Sequence, residues 1–356
     1  MARALALAEE GLYTTCPNPR VGCVLAHGER IVGEGWHRRA GEPHAEIFAL
    51  RDAGEKARDA TAYVTLEPCA HHGRTPPCAD ALIEAGVARV VTAMRDPNPL
   101  VAGKGLKRLE EANISVETGL MENEARELNI GFVSRMTRGR PWTRVKAAAS
   151  LDGKTALANG ISKWITGEEA RRDGHRWRAR ACAILTGLGT VVSDDPELSV
   201  RAIACERQPL RIVVDTRLKI PLQARILATD KILVATACED HRKIDALEAM
   251  GHEVLLLPAS DTGVDLSKML SELGIRGINE LHVEAGARLN GALLHAACVD
   301  ELILYLAPQL LGGSARNLFE LAPLTSLDQA IKLHILEQRP LGNDLRIQAR
   351  VICSVT

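Results

Sequence analysis

The spacing of apolar and polar positions divides the chain into two runs of alternating strands and helices. Residues 1–12 have apolar positions at helical spacing. After the loop TTCPNPR, the runs VGCVLA (21–26) and RIVGEGWH (30–37), parted by HGE, predict a hairpin. A helical pattern follows from His44 to Lys56. AYVTLEP (62–68) predicts a strand, PPCADALIEAG (76–86) a helix closed by Gly86, and RVVTAM (89–94) a further strand. A helix over 103–112, a strand over 114–118 and a helix over 121–136 complete the run. Such alternation implies a mainly parallel sheet covered on both faces.

The arginine-rich segment RMTRGRPW (135–142) is the best boundary, and it divides the chain into domains 1–139 and 140–356. Beyond it the alternation restarts with WTRVKAAAS, a helix over 167–179, ACAILTG, RIVVD, KILVAT and a helix over 241–250. EVLLL, a helix over 265–273, ELHVEAG, a helix over 288–297 and ELILYLAP follow. No repeat of fixed period links the halves, so two unrelated α/β folds are expected.

Composition narrows the partners. Lys plus Arg (44) balances Asp plus Glu (45) and only 3% of residues are aromatic, so neither a polyanion footprint nor a base-stacking surface is advertised. A small-molecule partner is expected, with no nucleic acid. No stretch has the length of a membrane span, and MARALALAEEG lacks the pattern of a secretory signal, so the expected location is cytoplasmic and off the membrane. The nine cysteines, at 16, 23, 69, 78, 182, 205, 238, 298 and 353, show no framework spacing, which suits free thiols plus a metal site.

The first candidate chemistry joins PHAEIFAL to EPC and PPC. An imidazole (His44) with two thiolates (Cys69 and Cys78) is a suitable zinc set, and three protein ligands leave a fourth position open for water. Two residues apart on a continuous helix, His44 and Glu46 would point about 200° from each other, so they share a site only where a helix is just beginning. Pro43, which biases Glu42 to an extended backbone, makes that beginning plausible at His44. Cys78, after Pro76-Pro77, also stands at a helix start, where the dipole favours a thiolate. Zinc would make hydroxide available near neutral pH, and Glu46, which is not a ligand, could move the proton to a departing amine. A closed site of Cys69, His71, His72 and Cys78 competes, but adjacent histidines diverge and Glu46 would have no role.

The combination CPNPRVGCV, HAE and EPCAHHGRTPPC resembles the riboflavin-biosynthesis deaminases, members of the cytidine-deaminase-like fold in which the cysteines stand far apart. The resemblance implies a three-layer α/β domain. It also implies a diaminopyrimidinone substrate carrying a ribosylamino 5'-phosphate, with His44, Cys69 and Cys78 as zinc ligands and Glu46 as proton shuttle. Asn18 of PNP would contact the substrate. His71 and Arg74 fall where the family contacts ribose and phosphate, and a planar guanidinium suits phosphate. For His72 a satisfied loop histidine is at least as good a reading.

In the second half, KAAASLDGK (146–154), SKWITG, TGLGTVVSDDPELSVR, VVDT, HVEAGARL and APQLLGG (307–313) put small residues and acids at strand ends, where open α/β sheets bind ligands. No G-x-G-x-x-G is present. The ordered series resembles the reductase half of the same family, which has a dihydrofolate-reductase-like fold and uses NADPH. The resemblance implies NADPH contacts at Ala148, Trp164, Thr190, Asp194, Thr216 and Gly286, and substrate contacts at Ser162, Arg178, Leu198, Arg201 and Glu284. Lys146 and Asp194 would stand beside the reacting carbon, and the family's oligomers imply a homo-oligomer. Ala285 and Lys219 depart from the residues frequent at those places. Arg171, Arg172, Arg176 and Arg180 read as a solvated helix face, and a core role competes for Trp164. Two other readings of the whole chain are a nucleic-acid base deaminase with an accessory domain and a non-catalytic zinc-stabilised binding protein.

Overall fold

The computed structural model describes residues 1–70, 77–99, 101–228, 230–261 and 263–352, and the chain divides into two compact units, Met1–Gly139 and Arg140–Thr356. No helix among the described residues is long and apolar enough to cross a membrane.

The first unit runs α1 (Ala2–Glu9), β1 (Gly22–His27), β2 (Arg30–Trp36), α2 (Ala45–Ala53), β3 (Thr61–Val64), α3 (Cys78–Glu84), β4 (Arg89–Thr92), α4 (Lys104–Glu111), β5 (Ser115–Thr118), α5 (Glu122–Leu128) and α6 (Ile130–Arg138). Its sheet has the order β2-β1-β3-β4-β5, with the hairpin antiparallel and β3, β4 and β5 parallel. Cys23, Leu25, Val64, Leu82 and Val90 fill the core between sheet and helices.

The structure departs from two sequence expectations in this unit. The strand read over 62–68 ends at Val64, before the turn that carries Glu67 and Pro68. The single helix read over 121–136 is two helices broken at Asn129. Its buried amide accepts the Arg20 backbone N–H at 2.8 Å and donates to the Arg20 carbonyl at 2.9 Å, so Asn129 serves the loop before β1 like a strand partner.

The second unit runs β6 (Trp142–Ser150), β7 (Lys154–Ala156), α7 (Glu168–Arg180), β8 (Ala183–Gly187), α8 (Leu188–Asp194), β9 (Leu210–Val214), β10 (Ile232–Thr236), α9 (His241–Ala249) and β11 (Glu253–Leu256). It continues with β12 (Ala259–Ser260), β13 (Gly263–Val264), α10 (Leu266–Ile275), β14 (Glu280–Val283), α11 (Ala287–His295), β15 (Glu301–Ala307), β16 (Arg316–Asn317), β17 (Lys332–Leu341) and β18 (Asp344–Ile352). Nine strands form one sheet in the order β11-β10-β9-β8-β14-β6-β15-β18-β17, parallel as far as β15 and antiparallel at β18 and β17. Because β14 inserts between β8 and β6, the strand order reverses there, and the crevice outside those carboxyl ends is where such sheets take ligands.

Neither α8 nor the β17–β18 hairpin was read from the sequence. Alternation is present in β18 at Leu345, Ile347, Ala349 and Val351, but an irregularity between Ile335 and Glu337 interrupts it in β17. Arg180 also departs from the solvated-face reading. It donates at 2.8 Å to Glu280, a fully buried carboxylate that also pairs with Arg144, whose second partner is Glu301 at 2.9 Å. Burial opposes the Arg144 cation, but Glu301 and Glu280 outweigh it and hold its pKa above the usual value.

Helix α2 lies close on β2 because small residues face each other. A Cβ on Gly35 would meet the Ala45 carbonyl oxygen and the Ala49 nitrogen at 2.5 Å, and one on Gly33 would meet the Ala49 carbonyl oxygen at 2.3 Å. Gly35→Ala must therefore displace the first turn of α2, and we expect it to cost about 1–3 kcal/mol. The check is the denaturant midpoint of the full chain, and an unchanged midpoint contradicts the close packing.

Candidate active sites

His44 is the N-cap of α2, with φ −75° and ψ 167°, so its side chain leaves the chain before helical geometry begins. Glu46 stands in the first turn behind it. Cys78 opens α3 directly after Pro77, as the proline pair predicts, and Cys69 lies in the turn beyond β3. Glu67 fixes that turn. Its buried carboxylate accepts backbone N–H groups from Asp96 at 3.1 Å, Gly103 at 3.0 Å and Gly105 at 3.0 Å, and a Cβ on Gly105 would lie 1.8 Å from the Pro68 carbonyl oxygen.

The fold brings the three predicted ligands together. Their donor atoms lie within 4.8 Å of one another, and they are the one such group of three or more among the described residues. His44 Nδ1 is 3.2 Å from Cys78 Sγ and 3.6 Å from Cys69 Sγ. Zinc bonds of ~2.1 Å to nitrogen and ~2.3 Å to sulfur at a tetrahedral angle would put nitrogen and sulfur roughly 3.6 Å apart, so the residues present fit the ion. Cys69 Sγ accepts hydrogen bonds from the Cys78 side chain and from its backbone N–H at 3.3 Å. The Cys78 side-chain bond contributes most to lowering the Cys69 pKa to about 4, while Cys78, as its donor, is raised.

Glu46 is only 3% exposed, and its Oε2 has no hydrogen-bond partner among the described residues. Burial pushes its pKa up to about 7, with His44 pulling down and Cys69 pushing up. A buried carboxyl oxygen left unpaired beside a ligand set is costly unless it serves a further group.

His37, at the end of β2, carried no signal in the sequence. Its Nδ1 lies 3.1 Å from the Pro43 carbonyl, which can only accept, so Nδ1 bears the proton and Nε2 accepts the Asn18 Nδ2 donor at 3.0 Å. Its ring also packs edge-on against His44, with 5.5 Å between centroids. His37 thus holds Asn18 and the start of α2 together, leaving the Asn18 Oδ1 to other partners. His71, His72 and Arg74 lie outside the described residues.

In the second unit, Thr190, Thr216, Glu284 and Gly286 all follow the carboxyl ends of parallel strands, after β8, β9 and β14. Glu284 forms the centre. It receives a bidentate pair from Arg178, one arm at 2.9 Å, and lies 3.7 Å from Lys146 Nζ and 3.3 Å from His282 Nε2. Burial alone would raise the Glu284 carboxyl, but Arg178 and Lys146 outweigh it and hold it well below the usual range.

This pairing alters the expected division of labour. Arg178 also donates to the Ser199 carbonyl at 3.0 Å, so much of its fork is engaged within the protein, whereas the exposed Arg201 guanidinium has no ion-pair partner among the described residues. The side chain of Leu198 is in the apolar core, leaving only its backbone for a ligand. Trp164, far from being core, is 69% exposed, with the Arg171 guanidinium 4.6 Å from its ring. Asp194 is exposed at the end of α8, and Ala148 and Ser162 are partly exposed. Lys146 makes its ion pair with Glu284, not with Asp194. Gly189 and Gly286 present bare backbone in the first turn of α8 and at the start of α11, and a Cβ on either would meet nothing within 4 Å. Open space over helix N-termini on adjacent strands suits a dinucleotide's phosphates.

Residues 1–94 match the family described as the cytidine and deoxycytidylate deaminase zinc-binding region, and residues 141–347 match the RibD C-terminal domain. The chain is 51% identical over 358 residues to the riboflavin biosynthesis protein RibD of Escherichia coli K12, covering 97% of this chain and 96% of that protein. Acinetobacter baumannii RibD, form 2, superposes with a TM-score of 0.91 at 44% identity over 99% of this chain and 97% of its own. A diaminohydroxyphosphoribosylaminopyrimidine deaminase/5-amino-6-(5-phosphoribosylamino)uracil reductase from Thermotoga maritima superposes with a TM-score of 0.87 at 32% identity, covering 99% and 97%.

Removing Arg178 would strand the carboxylate it holds. Arg178→Met leaves Glu284 buried without its bidentate partner, and we expect a loss of about 3–5 kcal/mol, measured as a lower unfolding midpoint. A loss under 1 kcal/mol would show that the pair contributes little.

Proposed function

We propose a residue-level assignment for a chain that belongs to the RibD family, the bifunctional deaminases and reductases of riboflavin biosynthesis. The chain is a zinc-dependent hydrolytic deaminase and an NADPH-dependent reductase acting in turn on one phosphoribosylaminopyrimidine. Residues 1–139 are assigned the deamination and residues 140–356 the reduction.

For deamination, the observation that carries the assignment is the buried Glu46 carboxyl, one oxygen of which has no partner among the described residues, beside the His44, Cys69 and Cys78 donor atoms. Zinc held by those three residues would supply a water acidified to a pKa of roughly 7. Glu46 would take a proton from the attacking water and pass it to the departing amine, as the water oxygen bonds to the ring carbon, the C–N bond breaks and ammonia leaves. His37 fixes Asn18 so that its Oδ1 is available to a ring N–H or amino group. His71 and Arg74 are assigned to the ribose and phosphate on their match to the family motif and on guanidinium chemistry.

For reduction, bound NADPH would supply a hydride to ribose C1 as the bond from C1 to the ring oxygen breaks and that oxygen takes up a proton, opening the sugar to a ribityl chain. Open backbone at Gly189 and Gly286 supports a dinucleotide seat there, with Ala148, Trp164, Thr190, Asp194, Thr216 and Gly286 assigned as its contacts. Lys146 and Asp194 are assigned beside the reacting carbon. Arg201 is assigned to the substrate phosphate, with Ser162, Arg178, Leu198 and Glu284 forming the rest of the substrate seat. A charged substrate and NADPH do not cross membranes unaided, which supports a cytoplasmic site of action. Exposed Leu321, Leu324, Leu327, Ile331, Leu333, Ile335 and Leu336 around β17 support a homo-oligomer.

Glu46→Gln is expected to keep its zinc, lose about 10²–10⁴-fold in the rate of ammonia release, and still oxidise NADPH on the deaminated substrate. Retained deamination would sink the shuttle role. Stripping zinc with a chelator is expected to abolish ammonia release and leave reduction intact, and Cys69→Ala is expected to lose stoichiometric zinc by metal analysis.

A further inference from the structure

Four consecutive residues, 198–201, are each held by a different device. Leu198 has φ 52° and anchors its side chain in the core. The Ser199 carbonyl accepts from Arg178 Nη1 at 3.0 Å. Val200 is clamped at both ends by one amide, its N–H donating to Gln208 Oε1 at 2.8 Å and its carbonyl accepting from Gln208 Nε2 at 3.0 Å. The Arg201 N–H donates to His175 Nδ1 at 3.3 Å. An L-residue at positive φ is uncommon and strained, so the surrounding contacts must over-determine the segment for it to persist.

His175 lies on α7 one turn before Arg178, so the two project from the same face of one helix. That face carries the partner of Glu284 and the anchor of Arg201. The histidine is 9% exposed, and an Nδ1 that accepts a backbone N–H carries no proton. Burial first, then Arg178 and Arg201, lower its pKa to about 4, so the ring is the neutral Nε2–H form at neutral pH.

We propose that His175, seconded by Gln208, is a positioning residue for substrate recognition in the reductase: it fixes the Leu198–Arg201 backbone so that the Arg201 guanidinium, which has no ion-pair partner among the described residues, is aimed at the substrate phosphate. The proposal rests on the assignment of Arg201 to that phosphate. His175 itself touches neither hydride nor ribose. Its loss weakens binding of the pyrimidine substrate and leaves the chemical step alone.

The test uses the full chain and follows NADPH oxidation with the deaminated pyrimidine substrate. His175→Ala is expected to raise KM for that substrate roughly 10-fold, with kcat and the KM for NADPH within about 3-fold and ammonia release by the other half unchanged. His175→Asn, whose Oδ1 occupies the place of Nδ1, is expected to restore KM to within about 3-fold of the parent. Should His175→Ala fold poorly, Gln208→Ala, on the surface, is expected to raise the same KM with kcat unchanged. An unaltered KM in the soluble variants, a fall in kcat instead, or an Asn variant no better than Ala overturns the positioning role. Arg201→Ala separates the two ideas. If it binds substrate normally, the phosphate assignment falls and the proposal with it. If it loses affinity while His175→Ala and Gln208→Ala do not, only the positioning role falls.

Discussion

The deaminase site depends on one backbone event, the change from extended to helical geometry at His44. The extended ψ at this N-cap sends the imidazole toward the thiols, and the first turn of α2 brings Glu46 to the same space. Residues two apart on a continuous helix diverge, so a site that needs both must lie at a helix start. The position of that start is set by packing. Gly33 and Gly35 let α2 settle on β2 through Ala45, Ala49 and Ala53, and His37 ties the Pro43 carbonyl to Asn18. Glu67 secures the other side of the site by gathering three backbone N–H groups two residues before Cys69. The donor set is thus assembled by contacts that involve no metal, which is how a reactive site is held ready for its ion.

The reductase half solves a different problem, keeping charge buried at a strand crest without trapping it unpaired. Glu284 is surrounded by Arg178, Lys146 and His282, and beneath it Arg144 bridges Glu280 and Glu301. Breaking one member of such a group costs more than forming the group gains, so these residues are constrained as a set. What remains uncommitted is therefore informative. The Arg201 guanidinium has no ion-pair partner among the described residues, and a Cβ on Gly189 or Gly286 would meet no described atom within 4 Å, so these places are left open to a ligand.

How legible all this was in the sequence varies with the range of the interaction. His44, Cys69, Cys78 and Glu46 were readable because zinc chemistry admits few residue types and because Pro43 and the Pro76-Pro77 pair mark the helix starts. The α/β alternation and the hairpin were readable from periodicity. His37 and Glu67 were not, since a lone histidine at a strand end or a glutamate in a turn gives no pattern until the partner loops are in place. The Arg178–Glu284 pair, 106 residues apart in sequence, and the double clamp of Gln208 on Val200 are products of the tertiary fold. Asn129 broke a helix whose apolar pattern ran straight through it, because its amide was needed by Arg20. The β17–β18 hairpin escaped because an irregularity interrupts the alternation in one strand, although the other kept it.

The central claim is an open zinc site in which three protein ligands leave one position for water and Glu46 stands outside the shell. Zinc K-edge absorption spectroscopy of the full chain reads that shell directly. The account predicts two sulfurs at ~2.3 Å, one imidazole nitrogen at ~2.0 Å and one further light atom from solvent. A shell of two sulfurs and two imidazoles would mean that His71 or His72 closes the site, and it would contradict the account.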